Sequence, residues 1–594
     1  MAKVKEKNKS SNGAPREGIQ FLNTIYFRND WKNNLDDLLC IIYRNEKTGE
    51  KKLKEIVNPD FSFNVLHEDK VDSYHHTAVP VENTDVVTCK YTKLYDVLAD
   101  ISGKTKDLIN WRRTKQASKQ KNLHKEDMFY GSDLDIEDYY TKKFYNKYKA
   151  VENRITKGYL DIEVDILDYP SFPDERIAPC PINIVTYQDD VTNVSYTFIL
   201  RNEKNPLVAK FEKNVKAFKK KLKNEIFKDY SIDKYKFYFY DSEIELLQAL
   251  FATINENKPD FCMSWNARFD MTTMINRAEK QFDTPASDFM CHPDFSRKVA
   301  YYNRDNMHDA YAERNDEFVC SSYTCYLDQL TLYASLRASG PKQESYKLGH
   351  ICEVEIGDTK IGYEEDEEDV DLELLPYTNF ERFVIYNIKD VLLLKRLEEK
   401  NNDLNLLMVI AEMTQTRVRK CMRKTTSLKN LAAIYHEAKG LVISTNHNTK
   451  EWKSAEEQAK EKEEQKGKKK KDDKFGGALV SDPKLNDYYG EKINGKRSKF
   501  VYRRVIDADA AALYPSIKLS TNNDMETMWG QLQFYKDFNH TNPKEAEKLK
   551  RANVRGGEFM DFLQTRNWTA IGSRFFGLPD LLKVIKLLKK KGVL

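Results

Sequence analysis

Asp161-Ile162-Glu163 sets two carboxylates two positions apart. In an extended strand, residues i and i+2 share a face. Both acids would then point one way and Ile162 the other. Like charges held side by side are unfavourable unless a cation lies between them. Asp270 closes the run Asn266-Ala267-Arg268-Phe269-Asp270, where an apolar stretch gives way to a helical pattern. Asp390 stands four residues after Tyr386 in Tyr-Asn-Ile-Lys-Asp, so phenol and carboxylate share a helix face. Four carboxylates are suited to hard divalent cations, Mg²⁺ or Mn²⁺. Two such ions about 4 Å apart activate water and steady the leaving oxygen in phosphodiester cleavage, and Tyr386 would orient that water. Plainer roles are open to each residue: Asp270 as a helix cap, Tyr386 as core and Asp390 as a solvated helix acid.

Holding these groups together requires a strand at 161, a strand-to-helix corner before 270 and a long helix through 390. The sequence predicts all three. Residues 159–164 (YLDIEV) alternate as a strand, and 181–187 and 194–200 are two more strand-like runs. Then 235–240 reads as a strand, 243–255 as a helix, 261–265 as a strand and 271–281 as a helix. This order predicts an α/β fold, a mixed sheet flanked by helices. Residues 380–400 form a long helical pattern with Val384, Ile388, Val391 and Leu392 on one face, and 403–439 read as helical too. Residues 364–371 (EEDEEDVD) are an acidic loop. The tract 451–474, with four consecutive lysines at 468–471, is a charged linker. Residues 1–18 are a basic, frayed terminus, and 19–155 carry no assignable motif.

At 594 residues the chain exceeds a single core, and two to four domains are expected. The net charge is only +4, so any path for nucleic acid must come from local placement of the 97 Lys and Arg. Nine cysteines include no CxxC pair, which argues against zinc and disulfides and fits a reducing cytosol. There is no signal-peptide pattern and no apolar run of membrane-spanning length. A cytoplasmic location is expected, that of a host cell if the gene is phage-borne.

The order D-x-E, N-x-x-F-D, Y-x-x-x-D resembles the three motifs of DEDD exonucleases with a tyrosine, as in the exonuclease domain of family B DNA polymerases. The resemblance implies a ribonuclease-H-like fold over 156–400 and 3′→5′ proofreading activity. It makes Asp161, Glu163, Asp270 and Asp390 metal ligands and Tyr386 the water-positioning residue. Asn266 and Phe269 would contact the 3′-terminal nucleotide. Asp328, in CYLDQLTLY, matches a common aspartate and is read as structural.

A second likeness begins at Asp509, in DAAALYPSI, which resembles motif A of the same polymerases, with Ala512 where the family favours Ser. It implies a metal ligand at Asp509, with Leu513 and Tyr514 at the nucleotide. Lys474-Phe475-Gly476-Gly477 resembles the Y-x-G-G template loop, with lysine in place of tyrosine. Neither the fingers motif nor motif C is found. The expected plan is therefore an N-terminal α+β polymerase domain at 19–155, a segment at 401–450 returning to it, and a partial palm at 475–594. The partners implied are primer-template and single-stranded DNA, deoxynucleoside triphosphates, and a second polymerase chain bringing fingers, motif C, thumb and a sliding-clamp contact. The stretches WNARFD…INR and YNIKDV are similar to large tailed-phage polymerases. Three alternatives stay open: a stand-alone exonuclease with an inert palm remnant, a non-catalytic DNA-binding subunit, and a truncated gene.

Overall fold

The computed structural model describes residues 15–443, except 31–32, 71–77, 153, 170–172, 306–309, 339, 341–342 and 362–372, and the backbone of two short strands at 492–493 and 496–497. Residues 1–446 and 447–594 are separate compact units. The expectations for 364–371, 451–474, Gly476, Gly477, Asp509, Leu513 and Tyr514 lie outside the described residues.

The first unit opens with β1 (Ile19–Phe27), β2 (Leu38–Asn45) and β3 (Lys51–Val57), an antiparallel meander in the order β1-β2-β3. Next come β4 (Asp60–Leu66), β5 (Ala78–Pro80), β6 (Thr84–Lys90), β7 (Phe129–Tyr130) and helix α1 (Ile136–Lys147). Strands β6, β4 and β7 form a second small sheet. Phe61, Phe63, Leu98 and Phe129 fill the core of this region.

A six-stranded sheet follows. Its strands are β8 (Lys157–Val164), β9 (Ile182–Asp189), β10 (Val194–Leu200), β11 (Lys234–Tyr240), β12 (Phe261–Ser264) and β15 (Cys325–Asp328), in the order β11-β10-β9-β8-β12-β15. Helix α2 (Pro206–Lys221) connects β10 to β11, α3 (Glu243–Asn257) connects β11 to β12, and α4 (Ala267–Asn276) follows β12. A hairpin of β13 (Ala300–Asn303) and β14 (Glu317–Cys320) precedes β15. Antiparallel β8–β9 and β9–β10 pairs sit beside parallel β10–β11, β8–β12 and β12–β15 pairs. The expected mixed sheet flanked by helices is therefore the observed one. The helix predicted at 271–281 begins earlier, at Ala267, and its last turn, Arg277–Gln281, is a π turn.

Helices α5 (Gln329–Leu336) and α6 (Leu348–Ile356) lead to α7 (Phe380–Asn401), which at about 1.5 Å per residue is some 33 Å long. Asn379 caps its start, accepting the Arg382 backbone N–H at 3.1 Å, and Asn402 ends it in the left-handed conformation. The predicted single apolar face is only part of the pattern. Val384, Ile388 and Leu392 join one cluster with Ile184 and Phe211, whereas Val391, Leu394 and Leu397 join another with Met263 and Leu332. The helix is wedged between two cores, so its burial does not follow one stripe.

The helical stretch read at 403–439 is two helices, α8 (Asp403–Thr414) and α9 (Lys424–Glu437), parted by a 3₁₀ turn at Val418–Met422. This segment meets N-terminal residues. Arg417 pairs with Glu137 at 2.6 Å and Lys429 with Asp133 at 2.8 Å, and β16 (Leu441–Ile443) pairs with β5.

Candidate active site

Register places the first two acids. Asp161 lies opposite Thr186, and Glu163 opposite Ile184, on the sheet face that α7 covers. Leu160 and Ile162 point to the other face, into the core with Leu246 and Met271. The ladder slips between Glu163 and Val164, so the strand is regular up to the second acid and irregular just past it.

Asp390 descends from α7, and one of its oxygens lies with one each of Asp161 and Glu163 within 4.8 Å of one another. Asn387, one turn earlier, donates to Asp161 Oδ2 at 2.9 Å. Asp270 sits in the first turn of α4, beside the end of β12, and is only 4% exposed. Its Oδ2 and Asp390 Oδ1 are buried with no hydrogen-bond partner among the described residues.

The electrostatics follow from this crowding. Burial and then the Asp390 charge push Asp161 up to about 8. Glu163 is driven well above the usual carboxylate range by burial and by Asp161, and Asp270 likewise. Asp390 is raised by burial, against the pull of Lys360. Metal-free, the cluster holds protons it would otherwise lose. Asp161, Glu163 and Asp390 form a hard-oxygen donor set that fits Mg²⁺ or Mn²⁺; Asp270 lies outside that close group, and its unpartnered Oδ2, like Asp390 Oδ1, is a buried acceptor of the same kind.

Two contributors escaped the sequence reading. Lys360 donates to the Tyr386 hydroxyl at 2.9 Å and pairs with Asp390. It stands just before the acidic tract, and nothing in its spacing tied it to the carboxylates. Two residues before it, Asp358 ties the same segment to α7, accepting from Lys389 (2.6 Å) and Arg396 (2.7 Å), and also from the Tyr230 hydroxyl (2.5 Å). Asn387 lay inside the quoted Tyr-Asn-Ile-Lys-Asp run, one residue from Tyr386, and only the approach of α7 to β8 gives it a partner.

The other predicted residues fall as follows. Tyr386 is buried and Phe269 half-buried against the Leu160 core, while Asn266 is exposed at the start of α4. Asp328 caps α5, accepting the Thr331 backbone N–H at 2.7 Å. Burial raises Asp328 to about 6.

Residues 132–351 match the family model of the DNA polymerase family B exonuclease domain. That span contains Asp161, Glu163 and Asp270 and stops before Lys360, Tyr386 and Asp390. The DNA-directed DNA polymerase of Escherichia phage RB69 is 25% identical over 396 residues, 66% of this chain and 38% of that protein. The chain thus spans well under half the length of this curated relative. Its mixed sheet and the matched span together make residues 132–351 similar to a family B DNA polymerase exonuclease domain, within a chain that resembles the N-terminal portion of such polymerases.

Proposed function

We propose that this chain hydrolyses DNA from its 3′ end in a two-metal site, as a proofreading component of a family B DNA polymerase. One observation carries the reading: Asp161 and Glu163 from a strand and Asp390 from a helix more than 220 residues later converge, with one oxygen from each within 4.8 Å of the others. Asp161, Glu163, Asp270 and Asp390 would hold the metals. The bound ions would acidify a water and neutralise charge on the leaving oxygen. Asn387 fixes the Asp161 carboxylate, and Lys360 fixes the Tyr386 hydroxyl beside the place where water must stand. Asn266 and Phe269, on the opening turn of α4, would hold the terminal nucleotide. We take 156–400 as the exonuclease domain, and 19–155 with 401–450 as the N-terminal domain.

The purified chain with Mg²⁺ and a 5′-labelled oligonucleotide should give a ladder that shortens from the 3′ end. EDTA should stop the reaction and added Mn²⁺ restore it. Shortening from the 5′ end, or none that depends on metal, would overturn the reading.

Lys360 is placed here as a positioning residue, and Asp358, two residues earlier, ties its segment to α7. Asp358→Asn should lower kcat by about 10- to 100-fold, the usual cost of loosening a group that orients a metal site. KM for DNA should change little, and the pH–rate profile should move as the lysine charge leaves Tyr386. A rise in KM alone would remove Lys360 from this role.

The wider polymerase reading rests on the resemblance at Asp509, Leu513, Tyr514, Gly476 and Gly477 and on the similarity to the phage enzyme. The fingers lysine and motif C acid would then come from sequence outside these 594 residues, continuous with it or on a second chain. Deoxynucleoside triphosphates and a sliding clamp would be engaged by that complete assembly.

A further inference from the structure

The chain carries a net charge of only +4, yet residues 206–236 hold ten lysines against four carboxylates. The excess within this short stretch is greater than that of the whole protein. It is gathered on α2 and on β11, the edge strand of the six-stranded sheet. Strand β11 lies three strand spacings, about 14 Å, from the β8 carboxylates.

Lys213, Lys216 and Lys220 are exposed and follow the three- and four-residue spacing that puts side chains on one helix face. Like charges so spaced weaken a helix rather than support it. Along α2, among the described residues, only Lys221 has an acidic partner, Glu381 at 2.6 Å. The neighbouring strand adds to the excess. Burial and then the charge of Lys234 push Lys219 below the usual lysine range. Lys219 on α2 and Lys234 on β11 are therefore close enough to repel.

Aromatic rings flank these charges on the two faces of the β11 edge strand, Phe237 on the α2 side and Tyr196 and Tyr238 on the other. Lys219 lies over Phe237 at 5.7 Å and Lys236 over Tyr196 at 4.7 Å. Tyr238 is 38% exposed and stacks on Phe198 with ring centroids 5.5 Å apart. A cationic helix face next to an edge strand that carries one exposed ring, Tyr238, suits a backbone of phosphates whose bases can stack. An acidic peptide would use the charge and leave the rings idle, and a duplex would hide its base faces.

We propose that the lysine face of α2, with the β11 edge, is a second binding surface for single-stranded DNA, apart from the carboxylate cluster and indifferent to sequence. It would hold the strand by its phosphates.

The test does not depend on hydrolysis, so its failure is separable from failure of the exonuclease reading. Binding of fluorescein-labelled dT20 is measured by anisotropy in EDTA, over a series of salt concentrations, with the whole chain. The variants are Lys213→Glu/Lys216→Glu/Lys220→Glu and the milder Lys213→Gln/Lys216→Gln/Lys220→Gln, which guards against loss of fold. The control, Lys106→Glu/Lys115→Glu/Lys119→Glu, makes the same charge change at exposed lysines elsewhere. Each phosphate contact on a single strand contributes about 0.7 to the slope of log K against log salt, so losing three should flatten it by about 2. The dissociation constant at 0.1 M salt should rise at least tenfold for the glutamate variant, less for the glutamine variant, and little for the control. Equal weakening by the control would overturn the proposal. So would displacement of dT20 by polyglutamate as effectively as by unlabelled dT20, or tighter binding of a 20-base-pair duplex.

Discussion

A chain carrying Asp161→Asn and Glu163→Gln should lose at least about a thousandfold in 3′-terminal hydrolysis, on the order of 4 kcal/mol of barrier, yet melt higher than the parent in EDTA at pH 8. Both halves come from the same crowding. The acids are the proposed metal ligands, and their amides bind hard divalent ions poorly. In the metal-free protein, however, burial and neighbouring charge raise Asp161 to about 8 and hold Glu163 above the usual range. Between the ordinary carboxylate range and about pH 8, the folded chain keeps protons that the unfolded chain has released. Where the folded state binds more protons, stability falls as pH rises. Neutral amides remove that fall. Mg²⁺ acts in the opposite sense: it competes with protons, so its stabilisation of the parent should grow from pH 6 to pH 8 and vanish in the variant. Thermal melts at both pH values, with EDTA or Mg²⁺, read all of this. A variant that melts lower than the parent in EDTA at pH 8, or gains as much from Mg²⁺, would contradict the assignment.

Asp260→Ala should cost about 3–5 kcal/mol, the usual penalty for removing one partner from a buried ion pair. Asp260 immediately precedes β12 and its side chain is fully buried. It accepts both oxygens' worth of hydrogen bonds from Arg44 Nη2, at 2.5 and 2.6 Å, and pairs with Lys51 at 2.7 Å. Arg44 is on β2 and Lys51 on β3, so one carboxylate ties the N-terminal meander to the six-stranded sheet. Burial pushes Asp260 up, but Lys51 and Arg44 outweigh it and hold it below the usual range. Burial lowers Lys51 to about 8 in spite of the pair. Without Asp260, two cations would face the interior with only the Gln20 amide oxygen and the Arg154 and Lys258 backbone carbonyls to meet them. Urea unfolding should show a clearly lower midpoint. A shift below about 1 kcal/mol would mean that water or another acid takes the place of Asp260.

The sequence made the carboxylates legible because the strand and helix that carry them use local spacings: i and i+2 at Asp161 and Glu163, i and i+4 at Tyr386 and Asp390. The sheet followed from alternation in 159–164 and from the strand-like runs at 181–187, 194–200 and 235–240. What escaped was long-range. Lys360 reaches Asp390 from a loop, and Asn387 reaches Asp161 across 226 residues. No period in the chain encodes either approach. The break between α8 and α9 was also missed, because Val418 and Cys421 continue an apolar pattern through a 3₁₀ turn. The Asp260 lock joins residues 209 and 216 positions apart, and each of them alone reads as an ordinary surface charge.

Helix α7 also bears on which ion such a centre could accept. Val384, Ile388 and Leu392 press it from one side, and Val391, Leu394 and Leu397 from the other. Interiors this dense transmit strain rather than yield to it. Asp390 therefore cannot back away from Asp161 and Glu163 to ease their repulsion. A cage that can neither widen nor contract selects its guest by charge density. A monovalent ion leaves most of the repulsion in place, whereas a small divalent ion removes it. Ion discrimination in the proposed centre would then be set by aliphatic side chains that never touch the ion.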